Sequence, residues 1–232
     1  MQRLRLPIDP YFVAGALSIV LVGGAVAWRG RSTPPPLPAL PAAVFDRLDA
    51  AGAGVSLGSP SAPVHVATLS DYECEGCALA HARVWPVVER YVRAGAVRYT
   101  AYQTPLPRHR AGVRAAVAAG CVAERSPGAF WAYHAALYAA QAQWLAAPDA
   151  GAALAGLAGR AGADTLRLRG CLEREGAGRA ARVERSWAMV KEGGVDLVPL
   201  WTVDGRSVSW LRLDREIHDA LRKRVPAPEP AR

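Results

Sequence analysis

The feature that most constrains this chain is a short apolar strand pattern that runs directly into a pair of cysteines. Val64–Ser70 alternates as a buried strand does, and after Asp71, Tyr72 and Glu73 come Cys74-Glu75-Gly76-Cys77. Leu79, Val84, Trp85, Val88 and Tyr91 then recur at helical spacing, with Pro86 inside the run predicting a kink. A cysteine at the start of a helix meets unpaired amides and the positive end of the helix dipole, and both favour its thiolate. Cys77, one turn later, is placed to attack a mixed disulfide on Cys74 and release whatever is bound there. The spacing therefore points to reversible dithiol/disulfide exchange. Half a zinc site has the same spacing, but Cys121 and Cys171 stand alone in separate helical segments, so no metal is expected.

The rest of the chain places this unit in an α/β architecture. A short helix is expected over residues 44–50, followed by a Gly/Ser/Pro stretch ending at Ala62-Pro63, and a second strand over 96–103. The pattern is then helical from 108 to about 192, in pieces at 111–124, 129–145, 151–160, 164–173 and 178–192 separated by Gly and Pro. Two strands return at Leu200–Val203 and 207–210 around the turn Asp204-Gly205, and a helix over 214–224 closes the chain. The order is β-α-β, a block of helices, then β-β-α, without internal repeats.

The first 43 of the 232 residues read differently. Residues 11–28 carry no charge and would make about 27 Å of helix, close to the apolar thickness of a bilayer, with Tyr11 and Trp28 at its two interfaces. The competing reading is a cleaved signal peptide with Arg3 and Arg5 in front and Ala25-Val26-Ala27 as the cleavage site. The proline-rich stretch from Ser32 to Pro41 favours an anchor, because it forms a stiff spacer of roughly 30 Å that has little use after cleavage. The expected organisation is a short segment 1–10, a transmembrane helix or signal sequence 11–28, a linker 29–43, one domain 44–225 with a helical insertion at about 108–174, and a tail 226–232. The net charge of +8 is nearly all arginine, with Lys191 and Lys223 the only lysines. No basic tract or groove-reading motif accompanies it, so no nucleic-acid partner is expected; a weak attraction to anionic membrane surfaces is.

The residues from Val64 to Cys77 resemble the strand–CxxC–helix opening of the DsbA-like branch of the thioredoxin superfamily. Phe130-Trp131-Ala132-Tyr133-His134-Ala135-Ala136-Leu137-Tyr138 is similar to that family's helical segment, and Gly194 to Gly205, containing Val198-Pro199, to its cis-proline loop and hairpin. The resemblance covers roughly residues 54–223. It implies a thioredoxin fold with an inserted helical lobe, Cys74 as nucleophile, Cys77 as resolving thiol, and Pro199 as a cis-proline facing them, with the edge at Val198 open to pair with a substrate backbone. Two departures stand out. Thr68 occupies the position, six before the first cysteine, where the family often has an acidic residue that helps move the proton of the second thiol. Glu75-Gly76 differs from the Pro-His pair of the strong periplasmic oxidase.

The expected function is an extracytoplasmic, membrane-anchored thiol:disulfide oxidoreductase that acts on cysteine-containing exported proteins and is reset by a membrane redox partner. It needs no organic cofactor, because the disulfide itself carries the two electrons. The alternatives are a reductase or isomerase of the same fold, and a non-enzymatic module that holds polypeptide or metal in the Pro199 groove. Cys121 and Cys171 are expected to pair, as a leftover even pair in an exported protein tends to oxidise; two buried inert thiols are the alternative. His81 could face the sulfurs, though a structural or exposed histidine is the commoner case. Trp131, Tyr133, His134 and Tyr138 read as packing, and Asp71 and Glu73 as solvated turn carboxylates. Negative charge at Glu75, with Glu73 and Asp71 nearby, should oppose the helix dipole. Cys74 is then expected to titrate above the roughly 3.5 of the strongest oxidase, with a potential more reducing than its approximately −120 mV.

Overall fold

The structure, a computed structural model, describes residues 40–224. The expected segments 1–10, 11–28 and 226–232 and most of the linker lie outside the described residues. Among the described residues no helix is long and apolar enough to cross a membrane.

Helix α1 (Ala42–Ala50) and strand β1 (Gly54–Leu57) precede β2 (Val64–Ser70), α2 (Glu75–Arg93) and β3 (Val97–Gln103). The helical lobe follows as α3 (Arg110–Arg125), α4 (Phe130–Ala139), α5 (Gln141–Leu145), α6 (Ala150–Arg160) and α7 (Thr165–Glu192). Strands β4 (Leu200–Val203) and β5 (Arg206–Val208) and helix α8 (Leu213–Arg222) complete the described chain. The sheet order is β1-β3-β2-β4-β5. β2 and β3 are parallel, as the intervening helix requires, while β1, β4 and β5 are each antiparallel to their neighbour. Asp204 and Gly205 both have positive φ (50° and 77°), the signature of a tight turn joining β4 to β5.

The alternation in β2 splits its side chains between two cores. Val64 and Val66 pack with Val84 and Val88 of α2 and Ile217 of α8. Ala67 and Leu69 point the other way, onto Leu48 of α1, Tyr102, and Val190 at the end of α7. A third core fills the lobe and reaches Tyr72 and Cys77, so the lobe's packing bears directly on the cysteine pair. Burying each such Val, Leu or Ile contributes about 1.5–3 kcal/mol, which fixes the central strand and with it the position at which the chain leaves the sheet.

Several element boundaries differ from the sequence expectation. β1 was not anticipated: it is short, and Gly54 lies so close to Tyr102 that a Cβ there would come within 2.5 Å of the ring. The stretch expected as one helix over 129–145 is a 3-10 turn at Pro127–Ala129 followed by α4 and α5. The two helices expected at 164–173 and 178–192 are one helix of 28 residues, so the lobe does not end near 174. Gly176 and Gly178 do not break it because tertiary contacts outweigh their propensity cost of about 1 kcal/mol each. Arg179, nearly buried, donates to both carboxylate oxygens of Glu124 on α3 at 2.7 and 2.6 Å and pairs with Glu175, holding α7 against α3. Cys121 of α3 and Cys171 of α7 form a disulfide between the same two helices, with Cα atoms 6.0 Å apart. α2 continues through Pro86 to Arg93. The second strand of the hairpin is Arg206–Val208, and Trp210 lies in a 3-10 turn.

Candidate active site

β2 ends at Ser70 in the middle of the sheet, and four residues later Cys74 caps α2. It has extended backbone (φ −76°, ψ 117°), and its sulfur accepts from the Cys77 amide at 3.3 Å, the role that Ser or Asp fills at an ordinary N-cap. The polypeptide turn before it is pinned from three sides. Asp71 is fully buried, and its carboxylate accepts from the Glu73 amide at 2.9 Å, the Leu106 amide at 3.0 Å and His109 Nδ1 at 2.5 Å. Glu73 accepts from the Gly112 amide in the first turn of α3 at 2.8 Å. Gln141 of α5 donates from one Nε2 to the carbonyls of Tyr72 and Cys74, at 2.7 and 3.0 Å. Asp71 is therefore not the solvated turn carboxylate expected from sequence: two of its three donors, the Leu106 amide and His109, come from more than thirty residues downstream and have no local signature. Gln141 was not singled out at all, for the same reason.

The two sulfurs have opposite environments. Cys74 is partly exposed and Cys77 is 1% exposed. The Cys74 thiol is pushed down to about 6, chiefly by the hydrogen bond from the Cys77 thiol, with the amides of Cys77 and Gly76 adding to it. Burial and the Asp71 charge act against that shift. Burial pushes the Cys77 thiol far up, and its hydrogen bond to Cys74 and the charge there push it further. Of the three carboxylates expected to oppose the Cys74 thiolate, Asp71 is the one whose charge raises the thiol most, while Glu75 is exposed.

Pro199 stands beside the pair. The Val198-Pro199 peptide bond is cis, and the Cys74 sulfur lies 3.8 Å from the Val198 carbonyl oxygen, to which the thiol donates. A Cβ on Gly76 would lie 3.8 Å from both the Cys74 sulfur and Pro199 Cδ, so the inner glycine sits between the helix start and the proline. His81 does not belong to this group. It is buried, stacks on Tyr138 and Trp85 with ring centroids 4.6 and 5.2 Å away, and burial holds it down to about 4, hence neutral. Trp131, His134 and Tyr138 extend the same aromatic cluster behind α2, where Tyr72 hydrogen-bonds His134 Nδ1 at 2.7 Å, and Tyr133 is buried in the lobe core. Thr68 is buried and donates to the Leu200 carbonyl at 3.2 Å, which closes the position where a carboxylate was sought. Among the described residues no cluster of three or more His, Cys, Asp or Glu side chains gathers as a metal site.

A half-exposed, acidified thiol above a buried one, facing a cis-proline, can be compared with known proteins. The Thioredoxin family model matches residues 50–223. The chain belongs to the thioredoxin family. Among solved structures, oxidised BdbD from Bacillus subtilis is 20% identical with a TM-score of 0.60, over 72% of this chain and 92% of that one. α-DsbA1 from Wolbachia pipientis is 16% identical with a TM-score of 0.62, over 73% and 92%. MdbA, a thiol-disulfide oxidoreductase from Actinomyces oris, is 15% identical with a TM-score of 0.60, over 78% and 88%. No curated protein sequence matches significantly. At these identities the likeness is one of fold: a thioredoxin domain carrying the helical lobe of DsbA-like proteins.

Proposed function

We propose that this thioredoxin-family protein is a thiol:disulfide oxidoreductase in which Cys74 is the nucleophile, Cys77 the resolving thiol and Pro199, with Val198, the wall against which substrate is held. The observation that carries this is the contrast between the two sulfurs, one accessible and acidified to about 6, the other buried and held as a thiol. In the reducing direction the Cys74 thiolate attacks a substrate disulfide; one S–S bond breaks, a mixed disulfide forms, and one substrate sulfur leaves with the electron pair. Cys77 then attacks Cys74, closing the Cys74–Cys77 bond and releasing the second substrate sulfur, so that two electrons have passed to the substrate. In the oxidising direction the same steps run backward. The cis-proline loop places the Val198 carbonyl beside Cys74, where an extended substrate can pair with the backbone.

Action outside the cytoplasm is supported by the buried Cys121–Cys171 disulfide, a bond that persists in oxidising compartments. Exported proteins as substrates, a membrane redox partner to reset the pair, and anchoring through residues 11–28 complete the proposal. Insulin reduction and dithiol oxidation by the wild type and by Cys74→Ser test it, and activity surviving in Cys74→Ser would sink it. The Cys74 value of about 6 favours a poise nearer thioredoxin, whose nucleophile titrates at about 7, than the strongest oxidase at about 3.5. The measured reduction potential decides between oxidase and reductase.

A further inference from the structure

The Asp71 carboxylate is fully buried in the turn that delivers the nucleophile. The Cys74 amide donates to the Asp71 carbonyl at 3.2 Å, a turn bond that keeps the two Cα atoms within about 7 Å of each other. The turn needs this carboxylate: Oδ1 takes the Glu73 amide and Oδ2 the Leu106 amide, which ties the approach to Cys74 onto the segment after β3. A negative charge that near, shielded from water, also works against a thiolate on Cys74.

His109 meets that charge. It caps α3, and its Nδ1 lies 2.5 Å from Asp71 Oδ2. Each Asp71 oxygen already accepts from an amide, which stabilises the ionised carboxylate and leaves it no proton to give, so Nδ1 is the donor in this short bond. A second proton, on Nε2, turns the contact into imidazolium against carboxylate, a pair without net charge. The His109 side chain keeps 15% of its surface where Asp71 keeps none, so that proton can come from solvent. Among the described residues His109 is the one basic side chain within ion-pair distance of Asp71; its neighbours Arg108 and Arg110 are exposed. The other titratable groups around the pair are Glu73, which is engaged by the Gly112 amide of α3, and the thiols of Cys74 and Cys77, while α5 contributes the uncharged Gln141.

We propose that His109 is a positioning residue whose imidazolium carries the counter-charge to buried Asp71, so that a carboxylate can hold the turn into Cys74 without its charge opposing the Cys74 thiolate. This rests on Cys74 being the nucleophile of the exchange reading. The Asp71 charge does raise the Cys74 thiol, which is the effect that a cation on its far side offsets. His109 touches neither sulfur nor substrate and acts through Asp71 alone.

Iodoacetamide alkylation of the reduced protein as a function of pH reads the Cys74 midpoint in each variant. His109→Asn puts an amide nitrogen where Nδ1 stood, keeping the donor and removing the charge. It should raise the midpoint by about half a unit or more, which is about threefold slower alkylation near pH 5. Asp71→Asn should lower the midpoint, and the double variant, with neither charge, should return to within about 0.3 units of the wild type. Opposite shifts that cancel mark charge compensation, whereas a merely structural role moves both single variants the same way. Nitrogen NMR of the wild-type imidazole needs no variant to fold, and at about pH 5.5, in the range where Cys74 titrates, both ring nitrogens should carry protons. A bare Nε2 there overturns the proposal, as does an unchanged or lowered midpoint in His109→Asn, or shifts of one sign in both single variants. None of these readings uses a disulfide substrate: a wild type unable to reduce insulin sinks the exchange reading, while the sign pattern decides this one.

Discussion

Replacing Cys77 separates the two sources of Cys74 acidity. The Cys74 thiol stands at about 6 rather than 9.0, and the Cys77 thiol is the largest contributor, ahead of the amides at the helix start. At pH 7 a thiol of that acidity is roughly nine-tenths thiolate. Cys77→Ala removes the side-chain donor while leaving the amides, so Cys74 should climb by at least about one unit and its thiolate fraction at pH 7 should drop to roughly half or less. Cys77→Ser keeps a hydroxyl donor and should fall between. Iodoacetamide alkylation of the reduced proteins as a function of pH, checked by thiolate absorbance, gives the values directly, since Cys121 and Cys171 are tied up in their disulfide. If Cys74 titrates identically in Cys77→Ala, the reasoning is refuted and the helix start alone acidifies it. The shift also carries a sign in stability. The folded value lies below the unfolded one, so the thiolate's stabilisation is fully present above about 9 and is lost as pH falls through about 6. The melting temperature of the reduced wild type should therefore gain on that of Cys74→Ala as pH rises across this window.

Opening the lobe disulfide with Cys121→Ala/Cys171→Ala should cost roughly 4 kcal/mol in chemical denaturation, because the bond closes a loop with a sequence separation of 50; a loss under about 1 kcal/mol would mean that the unfolded lobe is already compact. Gly112→Ala puts a Cβ 2.3 Å from Asp71 Oδ1 and should destabilise by about 1–3 kcal/mol while disturbing the Cys74 loop, measurable by thermal unfolding together with Cys74 alkylation. Asp71→Asn should lower the Cys74 pKa and make the pair more oxidising, whereas Glu75→Gln should leave both unchanged. Equal shifts in the two variants would return the Glu75 argument to favour.

Local chemistry was legible in the sequence and long-range partners were not. The strand Val64–Ser70 and the helix after Cys74 follow from periodicity, and the Asp204-Gly205 turn from residue type. What marks α7 as a single helix is Arg179 meeting Glu124 across the lobe, information that Gly176 and Gly178 contradict locally. Asp71 looks like any turn carboxylate until His109 and the Leu106 amide fold onto it.

The described residues hold two pairs of cysteines, one of free thiols and one closed as a disulfide, and the two differ in access. Exchange needs a thiolate approaching along the S–S axis, and Cys121 and Cys171 have no exposed surface through which one could come. Once the lobe has closed, the Cys74 of a neighbouring molecule cannot reshuffle that bond. Before closure nothing protects it: on the newly made chain all four thiols are open to mispairing. Access therefore sets an order: thiol exchange can reach these sulfurs only while α3 and α7 still leave them open. A chain in which that bond is never made has α3 and α7 held together only by packing and the Arg179 ion pairs.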